Sequence, residues 1–246
     1  NAGAEVNSRT STGATVLMMA AMSGSLEAVE ILLDNGAFVN AREKKNGQTP
    51  LMFAAWKNRS DVIKLLVDRG AHVGLATYLI SMDETPLDTV SRPIQRPKAR
   101  GKRAPGGNST MGGQTALLFA SRDGHLDAVK ALVDSSADID QINGGEGSSP
   151  MVIAIANGHY TVAKYLLDKG ADPNIANIDG LTPLYATVNM RHAPVSWAPN
   201  PLTDQESVDG LELIRELLEK GANPDARVER KLWFSPTSHD RGWIDY

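Results

Sequence analysis

The phrase LLVDRGAHV at 65–73 returns as LLDNGAFV at 32–39, LLDKGADPN at 166–174 and LLEKGANPD at 217–225. The small residues that set its phase, Gly3, Gly36, Gly70, Ser136, Gly170 and Gly221, stand 33, 34, 66, 34 and 51 residues apart. One period of 33 or 34 runs through them: the 66 counts as two periods, and the 51 as one period with about 17 inserted residues. A second marker keeps the same phase, as GATVL at 13–17, GQTPL at 47–51, GQTAL at 113–117, GSSPM at 147–151 and GLTPL at 180–184. A chain that repeats at this length does not close around one central core. Each unit is a supersecondary element that buries its faces against the units before and after it.

Every unit opens on a turn and a Thr or Ser, beside Pro in most copies. A hydroxyl there accepts an orphan amide hydrogen bond, and Pro at the first helical position loses nothing. A first helix follows, as in LMFAAWKN at 51–58, where Ala54 and Ala55 permit close approach of a neighbour. A second helix carries apolar residues at helical spacing, as in Val62, Ile63, Leu65, Leu66 and Val67, and ends at Gly70 in the left-handed conformation that glycine adopts without cost.

With turn, first helix, second helix and glycine repeating in register, the chain resembles the ankyrin-repeat proteins over 3–74 and 111–226. The resemblance implies an all-α solenoid of helix-turn-helix units with β-turn or hairpin fingers, interrupted by long loops. It divides a single solenoid over 1–246 into the end of a preceding repeat (1–11), repeats at 12–44, 45–77, 78–110, 111–144, 145–177 and 178–226, and an aromatic extension over 227–246. The repeat at 78–110 is degenerate and holds a basic loop; the last carries an insertion at 191–208. A start in mid-repeat and an end where another unit would begin point to a window on a longer solenoid, and the TALLFA-type first helix resembles bacterial members. The histidine that often follows Thr-Pro-Leu in this family is replaced by Met18, Met52, Leu118, Val152 and Tyr185, so apolar packing is expected in place of its hydrogen bond.

The 246 residues contain no Cys, which excludes disulfides, thiolate metal sites and a cysteine nucleophile. No apolar run reaches the roughly 20 residues of a membrane span. The expectation is a soluble chain, cytoplasmic, or periplasmic or secreted if bacterial. His125 and His159 recur at equivalent places, which repetition explains. His192 and His239 form no ligand spacing, and neither a phosphate loop nor a nucleophile elbow is present. The sequence therefore predicts no catalytic residue, no metal and no cofactor.

Binding remains. In the family the fingers and the exposed side of the first helix line a concave groove. The resemblance places there the residues after each small pair: Met22, Trp56 and Lys57, Arg122 and Asp123, Asn157, and Asn189 and Met190. The finger tips Lys44, Gln48, Asp179 and Leu181 form the second part of the candidate surface. Trp and Arg dominate interface energies, so Trp56 and Arg122 lead. Met19, Phe53, Phe119 and Ile153 share one helical phase and are expected as a buried seam. Between 91 and 113 lie Arg92, Arg96, Lys98, Arg100, Lys102 and Arg103 with three prolines and no acidic residue, a composition that predicts an exposed loop able to hold an anion. The absence of aromatic residues from that run weighs against nucleic acid. Thr203 with Glu206 has capping-box spacing, so the helix after the insertion is expected from Asp204 to Lys220. The function expected is a non-enzymatic scaffold for another protein. Polyanion binding through 92–103 and end-to-end self-association through the solenoid ends are the alternatives.

Overall fold

The computed structural model describes residues 5–81, 110–191 and 206–228. Over these residues the chain forms five helix pairs: α1 (Val16–Ser23) with α2 (Leu26–Asp34), α3 (Pro50–Trp56) with α4 (Ser60–Asp68), α5 (Ala116–Arg122) with α6 (Leu126–Asp134), α7 (Pro150–Ala156) with α8 (Tyr160–Asp168), and α9 (Pro183–Arg191) with α10 (Gly210–Glu219). Odd-numbered helices stack in chain order as one layer and even-numbered helices as the other, so each pair packs on those before and after it.

Local chemistry sets the helix ends. The hydroxyls of Thr15, Thr49, Thr115, Ser149 and Thr182 accept the amide three residues on at 3.3–3.4 Å. At Met18 a substitute for the missing imidazole exists, because the Thr15 N–H donates to the Met18 sulfur at 3.3 Å. The second helices close through a reverse bond, as from Ala71 N to Leu66 O at 2.8 Å, just after Gly70 at φ 89. Ser136 holds the same place at φ 63. One continuous core runs from Leu17 to Ala222, and Ala54, Ala120 and Ala154 are fully hidden where the first helices meet.

Three expectations require correction. The interval 78–110 does not separate two repeats with a third, since α3 packs directly on α5 and α4 on α6. Instead it lengthens one finger. Thr77 N donates to Gln114 O at 2.9 Å across 37 residues, where Glu43 N reaches Gln48 O at 3.0 Å across five, so 32 more residues lie between the closing partners of this finger. Two short strands, β1 (Ile80–Ser81) and β2 (Thr110–Met111), extend its base as an antiparallel ladder. Second, α10 begins at Gly210 and not near Asp204. Glu206 lies before it and accepts the Thr161 amide at 3.0 Å, fastening the end of the insertion to the preceding pair. Third, the seam is buried only inside the stack: Phe119 and Ile153 are 2% and 1% exposed, while Met19 is 39% exposed on the outer side of the first pair and Phe53 is half-buried with its ring inclined toward Trp56.

Asparagines staple neighbouring units where the second helices end. Asn40 Nδ2 donates to Gly70 O at 2.9 Å while its Oδ1 accepts the His72 amide at 2.9 Å, and Asn174 does the same with Gly221 O and the Asn223 amide. At the equivalent place Asp140 accepts the Asp172 amide but, when ionised, has no donor for the carbonyl. Burial raises the Asp140 pKa, and the Asp172 and Asp138 carboxylates add to that against the hydrogen bond from the Asp172 amide. Asp140→Asn is expected to stabilise the fold by about 1 kcal/mol at neutral pH. Because the folded-state pKa lies above the unfolded one, the wild type gains stability as pH falls through it and loses it as pH rises. The difference in Tm between variant and wild type should therefore be largest near neutrality and shrink on acidification.

Candidate partner-binding surface

The fingers are closed by a column of side chains that the sequence reading did not single out: Thr10, Glu43, Thr77, Asn143 and Asn177. Each accepts the amide across its own turn, from Ala14, Gln48, Gln114, Ser148 and Leu181 at 2.9–3.2 Å. Glu43 does most. It is 5% exposed, and its carboxylate also takes the amides of Lys45 at 2.6 Å and Asn46 at 2.5 Å. Its signal was the shared register of short polar acceptors at this point of every unit. Glu43→Ala leaves three donors unmatched, and about 2 kcal/mol of stability should go with it, since solvent at the tip recovers part of the loss. Glu43→Asn reproduces the arrangement of Asn143 and should cost under about 1 kcal/mol, with both variants measured by urea titration. Adjacent fingers are tied by backbone bonds from Lys44 N to Thr12 O, Tyr78 N to Asn46 O and Ile178 N to Glu146 O at 3.2, 2.7 and 2.9 Å.

On the groove side, α3 ends at Trp56, which is half-buried with Phe53 at 6.4 Å between ring centroids. The Lys57 ammonium lies 4.0 Å from the indole centroid and shields part of that face. The Trp56 carbonyl meets His125 Nε2 at 3.0 Å, so this periodic histidine joins two pairs. Arg59 Nε does the same for the Met22 carbonyl at 3.3 Å. Arg122 is already engaged: its Nε lies 2.8 Å from Asp123 Oδ1 and its guanidinium 5.1 Å from the Phe119 centroid. Met22, Asp123, Asn157 and Asn189 are half-buried, and Asn157 Nδ2 donates to Ile153 O at 2.8 Å. Lys44 is exposed, Gln48 and Asp179 half-buried.

Two candidates do not belong to the surface. Met190 is 6% exposed because α9 runs on to Arg191 while α3, α5 and α7 have ended by that point, and the extra residues turn Met190 onto the face of Ala186 and Thr187. Leu181 is 5% exposed and joins the core; at the same register Ala14 and Ser148 are also buried, while the longer, polar Gln48 and Gln114 stay half-buried. Arg92, Arg96, Lys98, Arg100, Lys102 and Arg103, with His192, Trp197 and the aromatic extension from 229 on, lie outside the described residues.

Among the described residues, and apart from Phe38, the exposed large hydrophobic side chains gather in three places. Val16, Met19, Leu26 and Ile31 lie on the first pair, and Tyr185, Val188, Leu211 and Leu218 on the last. These belong to the ends of the stack: Tyr185 is 42% exposed, while its counterparts Met18, Met52, Leu118 and Val152 are at most 2%. The third group, Tyr78, Leu79, Ile142 and Ile178, sits on the last three of the five described fingers. Among the described residues no group of His, Asp or Glu is placed to hold a metal, and no helix is long and apolar enough to cross a membrane.

A family model for ankyrin repeats, in three copies, matches residues 2–77 and 100–177. The ankyrin repeat and SAM domain-containing protein 6 of Danio rerio is 27% identical over 226 residues, which is 85% of this chain and 25% of that protein, so the chain spans about a quarter of this relative's length. The crystal structure of the human ASB11 ankyrin repeat domain superposes with a TM-score of 0.63 at 21% identity, covering 92% of this chain and 77% of that one. At that identity the likeness is one of fold.

Proposed function

The chain belongs to the ankyrin-repeat family, whose repeats generally serve as protein–protein interaction modules, and from that premise we propose that it is a non-enzymatic scaffold holding another protein through its groove and fingers. The observation that carries this reading is the exposed apolar group shared by three consecutive fingers. Stack ends explain the other two groups, but nothing in repeat packing calls for Tyr78, Leu79 and Ile142 to face solvent. Apolar surface of this kind on a folded chain marks an interaction site. Capture of a partner from the native source should be weakened by Leu79→Asp/Ile142→Asp at the fingers or by Trp56→Ala/Arg122→Ala in the groove, each checked for a native fold. Capture indifferent to both would refute the reading.

End-to-end assembly is a second reading, supported by Val16, Met19 and Ile31 at one end and Tyr185 and Leu218 at the other. Sedimentation should then show mass growing with concentration, and a constant monomer would dismiss it. Polyanion binding by 92–103 predicts a steep loss of affinity with salt that vanishes when the six cations are neutralised.

A further inference from the structure

One register position runs along the finger tips, one residue past the closing side chain, and it is occupied by Lys44, Tyr78, Gly144 and Ile178. Each side chain in it lies on a glycine of the finger before. A Cβ on Gly13 would stand 2.5 Å from Lys44 Cγ, one on Gly47 would stand 2.9 Å from the Tyr78 ring, and one on Gly147 would stand 3.6 Å from Ile178 Cγ2. Gly144 supplies no side chain, and Leu79 of the preceding finger fills the gap, with its Cδ2 2.3 Å from where a Gly144 Cβ would be. Ile142 reaches the same ground from the side, 3.8 Å from a Cβ on Gly147. Tyr78, Leu79, Ile142 and Ile178 are thus one apolar row across three consecutive fingers, 39–60% exposed.

The row begins at a cationic end. Lys44 and Lys45 are exposed, and among the described residues neither pairs with a carboxylate. Arg9 donates to the carbonyls of Gly13 and Arg42, while Arg42 donates to the Ala76 carbonyl and lies 5.0 Å from the Tyr78 ring centroid. The one carboxylate of that finger, Glu43, is buried and occupied by backbone amides. Positive charge therefore faces solvent at the start of the row, while Asp179 follows Ile178 at the far end.

Resting on the scaffold reading, we infer that this row binds a segment of another protein in which acidic residues adjoin aliphatic or aromatic ones. The carboxylates meet Lys44 and Lys45, and the apolar side chains lie along Tyr78, Leu79, Ile142 and Ile178. Charge sets the direction, because an acidic group is attracted at the Lys44 end. Apolar anchors next to a solvated charged rim are the usual anatomy of such contacts.

Selection of displayed random-sequence peptides against the full chain tests the inference. Enriched peptides should combine Asp or Glu with aliphatic or aromatic residues, and their affinity should fall about tenfold or more in Leu79→Asp/Ile142→Asp and in Lys44→Glu/Lys45→Glu. Asp61→Ala/Lys64→Ala, on the exposed face of α4, should leave it unchanged. All three variants alter surface side chains, and an unchanged Tm establishes that each is folded. Basic peptides, or binding that survives reversal of the two lysines, would overturn the inference. Binding lost only in the groove variant Trp56→Ala/Arg122→Ala overturns it while sparing the scaffold reading. A library that yields no binder, or binders indifferent to every variant, counts against both.

Discussion

Leu66→Ala lowers the unfolding free energy by about 3 kcal/mol. Leu66 is fully buried in α4, with α2 on one side and α6 on the other, so the cavity cannot collapse without moving both neighbours. Leu32 holds the equivalent place in α2 but is half-buried, because no pair precedes it among the described residues. Leu32→Ala should cost only about 1 kcal/mol. Nearest-neighbour packing makes this contrast large; a single shared core would make the two costs similar. Urea titrations of the two variants decide between them.

Gly112→Ala costs about 3 kcal/mol and acts on one finger. Gly112 has φ 106, and a Cβ there would stand 1.9 Å from the Tyr78 carbonyl oxygen, which is backbone and cannot swing aside. Gly36→Ala is the control. Its φ of 85 brings conformational strain, but nothing lies within 4 Å, so about 1 kcal/mol is expected. Far-UV dichroism of Gly112→Ala should stay native, while the amides of Thr77 and Gln114, bonded across the base of the long finger, exchange faster. Equal costs for the two glycines would show that the close approach to Tyr78 carries no energy.

The helix pairs were legible because each begins with a hydroxyl cap and ends at a left-handed residue, and both requirements are local. Ser136 was placed correctly in the glycine column although it is not glycine. The 66-residue spacing was misread because a 32-residue finger extension nearly equals one period, so counting alone cannot separate a lengthened tip from a degenerate repeat. That misreading also hid Tyr78 and Leu79, which fell inside the interval assigned to a damaged unit. Met190 was misplaced because the position after a helix end was assumed constant, and α9 continues where the others stop. Arg122 looked available, yet the carboxylate that engages it was its neighbour in the sequence, Asp123.

The measurement that bears most directly on one unbroken stack presenting one row of fingers is replacement of residues 82–109 by Asn-Gly. Ser81 and Thr110 are paired in an antiparallel ladder, and a two-residue Asn-Gly turn closes such a hairpin. The shortened chain should unfold in a single transition with Tm within about 5 °C of the parent and should capture the same partner. Two separate transitions would show that the interval joins the halves of the stack, and a stable chain that no longer captures would move binding from the finger row to the basic run at 92–103.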